Sequence, residues 1–273
     1  MNPLSLSYYT VPELDVLSTV DVAADTGCAH VGLRLLQGEP GRDQLPILEN
    51  KALRREMRAR LDARGVTVLD ANTARLMPTT EVAAFRPFFE VAAELGARHA
   101  LATGDDPEED RLAEKFAGLA DLAANHGMTV EIEFVPWQTI SDVATAARLI
   151  ERIGKANLGI AVDALHQDRS KGTLADIATV PPERFRYMHL CDAPAEWKAD
   201  RESLLHVAVK ERLFPGDGGI DLRRLLCALP AGIPLALEIP MERLAREVPA
   251  RERVARAVAA TRRLLAHLEE LTP

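Results

Sequence analysis

Cysteine is scarce in this chain: Cys28, Cys191 and Cys227 are widely spaced and form no CxxC pair. That argues against a disulfide framework and a thiolate zinc site, and it fits a reducing, cytoplasmic setting. An excess of basic charge is lacking too, since the formal charge is -8 and the pI is near 5.5. Nucleic acid and anionic membrane both call for a basic face, so neither is expected as a partner, and a small molecule is. No apolar run reaches spanning length free of charge or proline, and Met1–Ser7 has neither the basic leader nor the apolar core of a signal peptide. No GxGxxG or lysine-bearing phosphate loop follows the first apolar run, which argues against a doubly wound nucleotide-binding sheet. Pro215-Gly-Asp-Gly-Gly219 lacks both the lysine and a preceding strand, and reads as a turn. Linkers rich in Gly, Ser or Pro are missing as well, so residues 1–273 are expected to form one domain. The sequence leaves open whether copies associate into a homo-oligomer.

What is present is 47% hydrophobic residues, enough for a full core at this length. They fall into short β-like runs that alternate with amphipathic helical ones. The most informative run is Met128-Thr-Val-Glu-Ile-Glu-Phe134. Alternation puts Thr129, Glu131 and Glu133 on one face of a strand and Val130, Ile132 and Phe134 on the other. Helical patterns precede and follow it, so the apolar face should meet helices and the acidic face should turn inward, where carboxylates need a cation. Glu131, one layer deeper than Glu133, must pair with a cation or hold its proton.

Strands are expected near 4–9, 30–34, 66–70, 99–103, 128–134, 158–163, 187–191 and 234–238, with helices near 12–24, 50–64, 80–95, 107–126, 141–153, 174–177, 221–228 and 250–270. Polar loops are expected at 38–42 and 71–75, and a long irregular segment, 192–219, is expected to cover the site. Eight β/α units imply a single (β/α)8 TIM barrel, with its active site at the C-terminal ends of the strands. Glu133, Asp163, His189 and Glu238 end, or nearly end, the last four strands. Any one of them alone is an ordinary solvated strand-end residue; their convergence makes a three-carboxylate, one-histidine metal site. Such a donor set suits Mn²⁺ or Mg²⁺, with Co²⁺ and Zn²⁺ compatible. Arg34, Asp70 and Thr103 end other strands and are expected on the same rim, in reach of substrate.

Taken in order, Ile132-Glu-Phe-Val-Pro136, Val162-Asp-Ala-Leu-His166, His189-Leu-Cys-Asp192, Arg212-Leu-Phe-Pro-Gly-Asp-Gly218 and Leu237-Glu-Ile-Pro240 resemble the xylose isomerase-like family of sugar phosphate isomerase/epimerase TIM barrels. The resemblance spans nearly the whole chain and rests on the order of the motifs, since each is weak alone. It implies that Glu133, Asp163, His189 and Glu238 bind one divalent metal and that Glu133 and Glu238 exchange protons with substrate. It also implies that His166 contacts substrate oxygens. Many epimerases of the family carry an arginine six residues after the metal histidine, where this chain has Ala195. Arg212, Arg201 and Arg34 are the replacements to consider, with Arg212 expected to swing in as the long segment closes.

Asp192 either caps the backbone after its strand or orients a ligand residue, the second being favoured. Trp137 and Phe134 either wall the pocket or belong to the core. The activity implied is isomerisation or epimerisation of a small polyhydroxy carbonyl compound through a metal-stabilised enediolate. Alternatives are a dehydratase acting on a keto-inositol or dehydroshikimate-like acid, and a metal-binding homologue without catalysis. An abasic-site endonuclease would need more strand-end histidines and a basic face, and the chain has neither.

Overall fold

Caps and glycines punctuate the apolar runs and fix where each element begins and ends. Asp15 accepts hydrogen bonds from the backbone N–H groups of Leu17 and Ser18, starting the helix Val16–Thr26, and Gly27 ends it in the left-handed region at φ 81°. The computed structural model describes residues 2–36 and 45–269. Over them eight parallel strands close into a barrel in sequence order. They are β1 (Leu4–Ser7), β2 (His30–Arg34), β3 (Thr67–Leu76), β4 (His99–Gly104), β5 (Thr129–Glu133), β6 (Leu158–Asp163), β7 (Met188–Leu190) and β8 (Leu235–Leu237). Leu4 of β1 pairs with Leu235 of β8 and so completes the ring. Helices between the strands make this the expected single (β/α)8 TIM barrel. Among the described residues, no helix is long and apolar enough to cross a membrane.

The period of two along each strand separates two environments. Val130 and Ile132 of β5 join the outer apolar core with Phe116 and Leu119 of the helix Glu109–Ala124. Inside the barrel, Leu69, Leu101, Ala161, Tyr187 and Ala236 form a thin apolar layer. Ala161, Tyr187 and Ala236 each precede a candidate ligand by two residues, so the layer lies directly beneath Asp163, His189 and Glu238. Glu131 is buried in the barrel and meets the cation its position demands: Arg186 Nη1 lies 2.9 Å from its Oε1. Thr129 Oγ1 donates to the same oxygen at 2.6 Å. Gly159 faces this pair across β6, where a Cβ would stand 2.0 Å from Glu131 Oε2 and 2.2 Å from Arg186 Nη1, so glycine is required.

Three departures from the expected elements bear on the site. β3 does not stop at residue 70 but runs on to Leu76, through the segment expected to be a loop. The small and polar residues Ala71-Asn-Thr-Ala74 hide the alternation, and the register with β4 shifts between Ala71 and Ala74. Asp70 is therefore mid-strand and buried in the barrel rather than on the rim, its Oδ2 accepting from Asn72 Nδ2 at 2.6 Å. Second, the segment 192–219 contains a helix, Arg201–Lys210, whose weak apolar patterning concealed it and which Asp200 caps through Ser203 N. Third, the chain after β1 makes a 3-10 turn at Tyr8–Thr10, and the first α-helix begins only at Val16. The loop expected at 38–42 lies outside the described residues.

Candidate metal centre

Glu133 ends β5, Asp163 ends β6, His189 lies in β7 and Glu238 follows β8 by one residue. All four are buried, and one donor atom from each lies within 4.8 Å of the other three. His189 Nδ1 is 2.9 Å from Glu133 Oε1, 3.5 Å from Glu238 Oε2 and 4.0 Å from Asp163 Oδ2. The carboxylates are held from behind: Ser7 Oγ donates to Glu238 Oε1 at 3.0 Å, and the backbone N–H of His166 donates to Asp163 Oδ1 at 2.9 Å.

The cluster is short of positive charge. Burial alone would lower the pKa of His189, yet the carboxylates of Glu238 and Glu133 push it up to about 10. Burial raises the pKa of Glu238, with His189 and Arg212 pulling the other way. Asp163 is subject to the same burial, but Arg212, His166 and His189 hold it below the usual carboxylate range. Without a metal, the site thus recruits a proton onto His189. Three carboxylate oxygens and one imidazole nitrogen turned toward them fit a fairly hard divalent cation, which would replace that proton.

Arg212 is buried beside the cluster. Its Nη1 lies 2.5 Å from Asp163 Oδ2, its Nη2 3.3 Å from Glu238 Oε2, and its Nε donates to the carbonyl of Ala208 at 2.9 Å. Although it borders the cleft, each of these contacts ties the guanidinium to protein. Burial would lower its pKa, but Asp163, Cys191 and Glu238 keep it well above the ordinary value.

A cleft of about 270 Å³ opens on the cluster, lined by Glu133, Glu238, His166, Arg212, Arg34 and Thr103 among others. His166 is buried, its Nδ1 has no partner, and burial lowers its pKa, leaving a neutral ring near pH 7. Trp137 stands edge-on to that ring, with centroids 5.3 Å apart, and walls the cleft, whereas Phe134 belongs to the outer core. Arg34 lies 5.3 Å from the centroid of the Tyr8 ring. Tyr8, Tyr9, Thr73, Arg75 and Gln138 also line the cleft, and the sequence reading missed them. No sequence signal marked Arg75: it lies one residue before the end of β3, beyond the point where the apolar pattern of that strand stops. A larger surface cavity of about 430 Å³, bordered by Arg169, Trp197 and Glu202, contains none of the cluster, so chemistry rather than size identifies the site.

Asp192 takes the backbone role. It accepts hydrogen bonds from the N–H groups of Ala193, Gly216, Gly218 and Ile220, at 2.8 to 3.1 Å. The turn expected at Pro215–Gly219 is thereby fastened to the end of β7. A Cβ on Gly218 would stand 2.3 Å from both the Ala193 carbonyl oxygen and Asp192 Oδ1, which explains the glycine.

The sequence pattern of the xylose isomerase-like TIM barrel family matches residues 20–266. A 3-dehydroshikimate dehydratase of Pseudomonas aeruginosa is 34% identical over 170 residues, which is 59% of this chain and 25% of that protein. An inosose isomerase of Halalkalibacterium halodurans is 24% identical over 116 residues, covering 41% of this chain and 38% of that protein. The solved structure of the IOLI protein with a bound zinc atom superposes with a TM-score of 0.79 over 95% of this chain and 96% of that one, at 17% identity, a likeness of fold.

Proposed function

Because the chain belongs to the xylose isomerase-like TIM barrel family, we propose that it is a divalent-metal-dependent isomerase or epimerase of a small polyhydroxy carbonyl compound: a sugar, sugar phosphate or keto-polyol. The observation that carries this reading is the convergence of Glu133, Asp163, His189 and Glu238 on one buried point that opens into the cleft. These four would hold the metal, Mn²⁺ or Mg²⁺ for preference and Co²⁺ or Zn²⁺ by the same donors. The metal, when bound, supplies Lewis acidity that polarises the carbonyl and acidifies the adjacent C–H.

The chain's own residues do the rest. Glu133 and Glu238 approach the cleft from β5 and β8, so one carboxylate can take the proton and the other return it. Burial raises the basicity of Glu238, which suits it to abstraction. His166, neutral near pH 7, can donate or accept a hydrogen bond at a substrate oxygen. Tyr8 and Tyr9 have raised pKa values, from burial first and Glu238 second, and stay protonated as phenol donors. The helix Arg201–Lys210 brings Leu205 and Val209 to the cleft wall, where they limit access of water.

The similarity to a 3-dehydroshikimate dehydratase supports a second reading, in which the same proton removal is followed by loss of a hydroxyl group as water. The test is to load the protein with Mn²⁺ and incubate it in deuterated water with ketoses, keto-inositols and dehydroshikimate-like acids. Deuterium gained next to the carbonyl, with an epimer or isomer as product, supports the leading reading. Water loss supports the second. Full turnover in a metal-free sample rejects both, and metal binding without exchange on any compound leaves a metal-binding protein without catalysis.

A further inference from the structure

The acidic residues lining the cleft are Glu133 and Glu238, both in the metal cluster, whereas Arg34, Arg75, Arg201 and Arg212 bring four guanidinium groups. Arg212 is occupied by Asp163 and Glu238. A divalent ion together with Arg212 balances the three carboxylates, so the charge of Arg75 and Arg201 is left over. In a chain of net charge -8, a cleft with a positive surplus runs against composition.

The remaining arginines sit apart from the cluster. Arg34 ends β2 and is paired in register with Asn72 of the neighbouring β3, three residues before Arg75. Both guanidinium groups act on Tyr8 and on Tyr9, offsetting part of the rise that burial imposes on each phenol. All four side chains line the same cleft, with the Arg34 guanidinium 5.3 Å from the centroid of the Tyr8 ring. Arg75 is exposed, and among the described residues its side chain makes no hydrogen bond or ion pair; the same holds for Arg201, the first residue of its helix. A neutral polyol does not call for such groups. A carboxylate or phosphate matches the planar fork of arginine with paired, charge-assisted hydrogen bonds.

We propose that the β2–β3 side of the cleft is a subsite for an anionic group of the substrate, a carboxylate or a phosphate, with Arg75 as its principal contact, Arg34 beside it and Arg201 approaching from the helix. The inference rests on the proposed function for the position of the reacting carbon, and adds that the substrate is an acid.

Three open-chain polyols of the same length separate the cases: glucitol (neutral), gluconate (carboxylate) and glucitol 6-phosphate (phosphate). Binding of each to the Mg²⁺-loaded and metal-free protein is measured by calorimetry, and Mn²⁺ binding separately by electron paramagnetic resonance. The expected result is that one acid binds at least about tenfold more tightly than glucitol, as a charge-assisted pair implies. Which acid it is tells carboxylate from phosphate. Arg75→Ala should remove most of the preference, Arg75→Lys part of it and Arg201→Ala less, while Mn²⁺ affinity and melting temperature stay unchanged. Equal affinities for the three polyols, no binding of either acid, or a preference intact in both alanine variants would overturn the subsite. The two readings fail separately. An Arg75-dependent preference in a protein that does not bind Mn²⁺ supports the subsite and sinks the proposed function, whereas metal-dependent exchange on neutral sugars with no acid preference does the reverse.

Discussion

The two sides of the cleft are built to different tolerances. On the β5–β8 side, Glu133, Asp163, His189 and Glu238 are buried, lie within 4.8 Å of one another and are braced by Ser7, Arg212 and the backbone of His166. On the β1–β3 side, Tyr8 belongs to a short 3-10 turn, and Arg75 rides on a strand whose register shifts just before it. Metal chemistry needs donors preorganised to fractions of an ångström, and burial with a second layer of contacts supplies that. Recognition of a substrate's far end tolerates longer, more exposed side chains. Variants on the first side should therefore cost metal and fold, and variants on the second should cost affinity alone.

The largest expected effects come from the cluster itself. His189→Ala and Asp163→Asn should each weaken Mn²⁺ binding by at least about 100-fold, the upper end of the loss seen for residues that merely support ligands. Elemental analysis after dialysis reads this directly, and Arg75→Ala in parallel should hold wild-type metal. Unchanged occupancy in both cluster variants would dissolve the contrast between the two sides. The proton on His189 gives a pH signature. Its folded pKa, about 10, lies above the ordinary 6.5, so in metal-free protein this group's stabilisation is complete below about pH 6.5 and is lost as pH rises toward 10. Metal binding must expel that proton, so Mn²⁺ affinity should climb about tenfold per pH unit over the same interval. Chelator-treated protein should thus unfold at lower denaturant near pH 9 than near pH 6, and metal-loaded protein should not.

Arg212→Ala comes next. It leaves Asp163 and Glu238 buried without their shared cation, which should cost about 3–5 kcal/mol in metal-free protein. Added Mn²⁺ should restore a large part of that loss, because the metal supplies the missing charge. Equal destabilisation with and without metal, in denaturant melts, would mean that Arg212 acts mainly through packing. Asp192→Ala removes the acceptor of four backbone N–H groups and should cost about 2–3 kcal/mol. It should also raise hydrogen exchange at Gly216–Ile220 without lowering metal affinity; lower affinity would restore the role of orienting a ligand.

The same contrast explains what could be read in the sequence. The metal side was legible because each candidate ligand ends, or nearly ends, a strand-like run, as in Leu158-Gly-Ile-Ala-Val-Asp163, and period two then fixes which way the side chain points. Glu131 was legible for the same reason, down to its need for a cation, though Arg186 as that cation was not. The other side was not legible because Ala71-Asn-Thr-Ala74 carries no apolar alternation and a register shift moves the strand end from Asp70 to Leu76. One misplaced boundary removed Asp70 from the rim and hid Arg75. The helix Arg201–Lys210 escaped because Ala208 alone among its residues is fully buried, with Val207 and Val209 only partly so, and no amphipathic stripe marks it. Tyr8 and Tyr9 looked like the end of a strand, although the chain turns there.

His166 joins the two sides and should show the smallest effect. Its backbone N–H braces Asp163, an interaction that any residue at this position keeps, while its ring projects into the cleft against Trp137. Nδ1 is buried and unpartnered, a cost that a substrate oxygen would relieve by donating to it or accepting from it. His166→Gln retains an amide of similar reach, so it should leave metal affinity and melting temperature near wild type and raise KM about tenfold, as one neutral hydrogen bond implies. Burial lowers the pKa of His166 from the ordinary 6.5, so any inflection it contributes to kcat/KM should be centred on the acid side of that value. The pH profile of wild type and His166→Gln, measured on whichever compound the exchange assay selects, decides the point. An inflection above pH 7 that disappears in the variant would mean that the imidazole carries the proton itself. His166 would then belong with Glu133 and Glu238 rather than with the residues that hold the substrate.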